Sequence, residues 1–83
     1  MNRDPDLGLS HERLIKALGI ALVEIRATQS LQTAHALADV FHNVPSSIEL
    51  GLDPDLIAER MLACAERQGV RRYVERLLGL RHD

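Results

Sequence analysis

The chain has 83 residues, 46% hydrophobic and 27% charged, with 10 basic against 12 acidic side chains and a net charge of −2. That length holds one hydrophobic core and not two, the composition excludes disorder over most of the chain, and the interleaved charge raises no strong field for phosphate backbones or anionic lipid. Cys64 is the only cysteine, which excludes an internal disulfide and a thiolate-rich metal site within one chain and fits the reducing cytoplasm.

Residues 1–9 read as a flexible tail, because Pro5 and Gly8 discourage regular structure. Met1 to Asp6 lack the apolar segment of a secretory signal. A first helix is expected over 11–27, capped by Ser10, with Leu9 and Leu14 at the spacing of a hydrophobic staple. Leu14, Leu18, Ala21, Leu22 and Ile25 share one face, flanked by Ile15 and Ala17, whereas Ile20, Val23 and Ala27 fall on the other side. The longest apolar stretch, around Ala17 to Val23, is far short of a bilayer span. The expected compartment is the cytoplasm.

Ser30 caps a second helix over 31–42, whose buried face is expected to be Leu31, Ala34, Leu37, Ala38 and Phe41, with Val40 off that face. Asn43 suits a left-handed cap and Pro45 blocks continuation, which leaves 44–52 as a connector across one end of the bundle. Asp53 and Pro54 open a third helix over 54–68, with Ile57, Ala58, Met61, Cys64 and Ala65 along one face and Gly69 at its end. A fourth, over 70–78, buries Val70, Tyr73, Val74, Leu77 and Leu78 before Gly79 stops it. With no strand alternation and no repeat, the fold class is all-α: one domain over 10–83, a compact bundle of about four helices.

One polar constellation stands out. His35, Asp39 and His42 lie four and three residues apart, on one stripe of the second helix. Imidazole and carboxylate groups one turn apart can share a divalent metal, and a carboxylate can orient a histidine for proton transfer. The plainer reading of the same stripe is a solvated helix face, and no metal or other cofactor is expected. Arg67, Arg71, Arg72 and Arg76 offer a second candidate, a weak nucleic-acid binder. Glu66 and Glu75 interrupt that cluster, and the fourth helix presents no Asn, Gln, Ser or Thr to base edges. Cys64, on an apolar face, reads as a small core residue rather than a nucleophile. With no phosphate-binding loop and no triad, the chain is not expected to be an enzyme.

The segment Leu37-Ala38-Asp39-Val40-Phe41-His42-Asn43-Val44-Pro45 resembles a Leu-Ala-Asp-x-Phe-His-Asn-x-Pro stretch found in small bacterial all-helical proteins. Glu24-Ile25-Arg26 and the run from Tyr73 to Gly79 resemble the same group more loosely, so that the likeness spans about half the chain. It implies a free-standing bacterial helical protein, and it carries no reaction, cofactor or partner with it.

The apolar surplus points further. Ile20, Val23 and Ala27 lie outside the main stripe of the first helix, and Leu56 and Val40 lie off the main faces of theirs. Apolar surface beyond what one small core needs marks a protein interface when it converges. The expectation is a non-catalytic protein-interaction module of the accessory or immunity type, with Ile20, Val23, Ala27 and Leu56 at the interface. A second copy of the chain is the economical partner, because a two-fold homodimer needs only one self-complementary surface.

Overall fold

A computed structural model describes residues 7–80 of the chain. Among these the helices are α1 (His11–Ala27), α2 (Leu31–Phe41), α3 (Val44–Glu49), α4 (Pro54–Gln68) and α5 (Arg71–Leu77), and there are no strands. They form a compact all-α bundle.

Three of the five helices start as the sequence implies. The side chains of Ser10, Ser30 and Asp53 each accept a hydrogen bond from the backbone N–H three residues on, at 3.1 Å in every case. Each bond satisfies one of the N–H groups that a first helical turn leaves without an intrahelical partner. Three of the five also share one ending. Gly51, Gly69 and Gly79 have φ of 76°, 79° and 77°, and the N–H of the following residue reaches back five positions to close the helix. Those closing bonds are Leu52 to Ser47 at 3.1 Å, Val70 to Ala65 at 2.9 Å and Leu80 to Glu75 at 2.9 Å. This is the Schellman arrangement, in which a left-handed residue turns the chain and an aliphatic residue folds back on the helix.

The short helix α3 occupies what the sequence reads as a connector. Pro45 does stop α2, but its missing N–H costs nothing in a first turn, so it sits comfortably at the start of α3. Asn43 is not a left-handed cap: its φ is −96°, and α2 passes into α3 through His42 and Asn43 without a positive-φ residue.

Helix α1 is the hub, touching each of the other four. The small Ala17 and Ala21, fully buried beside Leu14, let those neighbours approach closely. The rest of the core comes from Leu37, Val40 and Phe41 of α2, Val44 of α3, Ile57, Ala58, Met61, Leu62 and Ala65 of α4, and Val74, Leu77 and Leu78 around α5. Two faces differ from the periodicity reading. On α2 the buried residues are Ala36, Leu37, Val40 and Phe41, whereas Leu31 is 76% exposed and Ala38 is exposed. Because α2 packs against both α1 and α4, the arc between those partners is buried, roughly a quarter turn from the expected one. On α1, Leu22 and Ile15 are 53% and 54% exposed. The buried arc there is narrow and centred on the two alanines.

Of the expected tail, residues 1–6 lie outside the described residues. Residues 7–9 carry no regular structure but are fastened to α4. The backbone N–H groups of Leu7 and Leu9 donate to the two carboxylate oxygens of Asp55, at 3.1 and 3.0 Å. His11 Nε2 lies 2.6 Å from the carbonyl oxygen of Leu52, which ties the start of α1 to the turn before α4.

Candidate interaction surface

The outward side of α1 carries most of the large apolar side chains that the fold leaves uncovered. Ile15, Ile20, Leu22 and Val23 are between 42% and 65% exposed, and Gly19 and Ala27 are exposed beside them. At 3.6 residues per turn these side chains surround Gly19 on the side away from Ala17 and Ala21. Glu12, Lys16 and Arg26 complete the face, all exposed. Gly19 has no role within the fold: a Cβ at this position would meet nothing within 4 Å. A mid-helix glycine nevertheless costs about 0.5–1 kcal/mol relative to alanine.

The interface residues expected from the sequence divide accordingly. Ile20, Val23 and Ala27 lie on this outward face, and Leu56 lies apart from them on α4, 38% exposed in its first turn. The expectation did not include Ile15, Leu22 or Gly19, which are exposed on the same face. The signal for them was the glycine itself, an unfavourable residue in mid-helix that the chain's own packing does not require.

The stripe His35, Asp39 and His42 is exposed along its length on the outermost side of α2. Among the described residues no three His, Cys, Asp or Glu side chains come together as a metal-binding set. Asp39 instead accepts a hydrogen bond from Gln68 Nε2 of α4 at 2.9 Å. His11 is held at Leu52 as above, and His82 lies outside the described residues.

The arginine cluster is divided as well. Arg71 is paired with Glu75 at 2.9 Å and lies 3.7 Å from Glu66, and the Arg76 guanidinium sits 5.8 Å from the centre of the Tyr73 ring. Tyr73 also faces α1. Its burial and the carboxylate of Glu24, to which its hydroxyl is hydrogen-bonded, push the phenol above its ordinary value, against the opposing effect of Arg76. Arg67 points elsewhere, into a groove of about 420 Å³ between α2, α3 and α4. Val40, Val44 and Met61 line that groove, with Asn43, Arg60 and Arg67 among its polar residues. Cys64 is half-buried there rather than sealed in the core.

No protein-family model matches the chain, and comparison with curated proteins and with solved structures found no match. No helix among the described residues is long and apolar enough to cross a membrane.

Proposed function

We propose that this protein is a small, non-catalytic interaction module of the bacterial cytoplasm that works by receiving a helix of another protein chain on the outward face of α1. One observation carries the reading: the exposure of Ile15, Ile20, Leu22 and Val23 around Gly19 on a helix that already touches every other helix of its own fold. Scattered surface aliphatics are ordinary, but several on one face form a patch of the kind that associates. The mid-helix glycine supports the same reading, since it leaves room at the centre of that patch for a neighbouring backbone.

Photo-crosslinking tests it. A photoreactive residue in place of Lys16, inside the face, should give adducts of defined mass in cells. The same residue in place of Glu59, exposed on α4, should give none. Adducts at 16 should disappear when Ile20→Asp and Val23→Asp are introduced with helicity unchanged. The reading fails if position 16 yields no adduct, or if positions 16 and 59 yield the same ones.

A further inference from the structure

Resting on that reading, we infer that the partner is a second copy of this chain, whose α1 runs antiparallel to the first across a two-fold axis at Gly19. The outward face is symmetric in sequence about that residue. Glu12 and Arg26 lie seven positions before and after it, Ile15 and Val23 four, and Lys16 and Leu22 three. All seven residues are exposed. The three-and-four spacing puts Glu12, Gly19 and Arg26 in one line along the helix, with Ile15 and Leu22 on one side of it and Lys16 and Val23 on the other.

In a two-fold pair, if one residue meets another then the second meets the first. Antiparallel pairing at Gly19 therefore sets Glu12 of each copy against Arg26 of the other. It also packs Ile15 against Leu22 on one side of that line, and on the other lays the aliphatic stem of Lys16 along Val23 with its ammonium in water. Among the described residues neither Glu12 nor Arg26 has an ion-pair partner within its own chain. A parallel pair would instead place Glu12 against Glu12 and Arg26 against Arg26, which like charges disfavour. The charges thus select the antiparallel arrangement.

Gly19 falls on the axis, where the two helices come closest. Without a Cβ on either side, the backbones can approach and the flanking aliphatic residues can interdigitate. The glycine that serves nothing in the isolated chain acquires a role. The contact is small: α1 has 17 residues and at 1.5 Å per residue is about 25 Å long. A single pair of such helices lies at the low end of specific interfaces, so the dimer should be reversible, with a dissociation constant on the order of micromolar.

Sedimentation equilibrium on a charge-swap series tests the geometry. The unmodified chain should show a concentration-dependent monomer–dimer equilibrium. Glu12→Arg and Arg26→Glu should each weaken it, by roughly tenfold as two attractive pairs become repulsive, and the double variant should recover it. Because these residues are exposed, the variants should keep their helicity. As a second measurement, Ile15→Cys and Leu22→Cys chains, each also carrying Cys64→Ser, should form the mixed disulfide when combined under mild oxidation, in preference to either self-disulfide.

A chain that stays monomeric at all concentrations overturns self-pairing. The interaction reading then stands only if the Lys16 crosslinker yields an adduct heavier than one chain by something other than its own mass. A dimer indifferent to both charge changes but abolished by Val23→Asp overturns the antiparallel register while keeping the face. A dimer indifferent to all three substitutions overturns the register and the face together.

Discussion

Arg13 closes over Gly79: a Cβ at position 79 would stand 2.6 Å from Nη2 of the guanidinium and 3.1 Å from its Nε. The contact joins the first turn of α1 to the turn that ends α5. Gly51 provides the control, since it has nearly the same φ, 76° against 77°, but open space around it. Alanine at a left-handed position costs about 1 kcal/mol. Gly51→Ala should lose that much in urea denaturation, and Gly79→Ala up to about 0.5 kcal/mol more, because the group in the way is the far end of a flexible arginine side chain that can swing aside. In an Arg13→Ala background the extra loss should vanish; a cycle showing no coupling between 13 and 79 would mean that the contact carries no energy.

The Asp55 carboxylate should matter beyond its own helix, because it holds the backbone at Leu7 and Leu9. Asp55→Ala leaves two N–H groups without their charged acceptor and should cost about 2 kcal/mol. Amide exchange at Leu7 and Leu9 should accelerate far more than exchange within α2. Unchanged protection at those two amides would show that the segment docks through its leucines alone.

Core and outward face should respond very differently to substitution. Leu37 is fully buried, so Leu37→Ala should cost about 2–5 kcal/mol. Val23 is 65% exposed, and Val23→Ala should stay within about 0.5 kcal/mol at concentrations where the chain is monomeric. Gly19→Ala should stabilise the monomer by about 0.5–1 kcal/mol, since the added methyl meets nothing. Thermal unfolding at low concentration orders the three.

The Tyr73 phenol titrates above its ordinary value of 10.0 in the folded chain, through burial and then Glu24. Above that ordinary value the unfolded chain loses its phenolic proton before the folded one does, so stability contributed by the neutral phenol is present below about pH 10 and falls as pH rises through the folded value. Tyr73→Phe should lack this part of the decline. Urea midpoints for the two chains, followed from pH 8 to pH 11, should fall on diverging lines; parallel lines would remove Tyr73 from the alkaline sensitivity.

How much of the fold was legible in the residues differs by element. Helix α3 is hard to see in the residues because Pro45 both ends α2 and favours the first turn of a new helix. The dipeptide Gly51-Leu52 repeats the pattern of Gly69-Val70 and Gly79-Leu80, and so marks the end of α3 even though its start carries no capping side chain. His35, Asp39 and His42 lie exposed along one side of α2 and its C-cap. The engagement of Asp39 by Gln68, 29 residues away in sequence, was invisible from spacing alone.

By itself the sequence determined where most helices begin and end. A capping hydroxyl or carboxylate three residues from its N–H, and a glycine free to turn left-handed, are satisfied within a single turn and need no distant partner. Only the tertiary structure decided which side of each helix is covered. Leu31 and Val40 are both aliphatic, and periodicity puts Leu31 on the buried face of α2 and Val40 off it, yet Leu31 is 76% exposed and Val40 4%. Their fates depend on α1 and α4 flanking α2, and no local preference records where a neighbour will lie. The same holds for α1: small alanines brought its neighbours close on one side, and left Ile15, Gly19, Leu22 and Val23 facing outward.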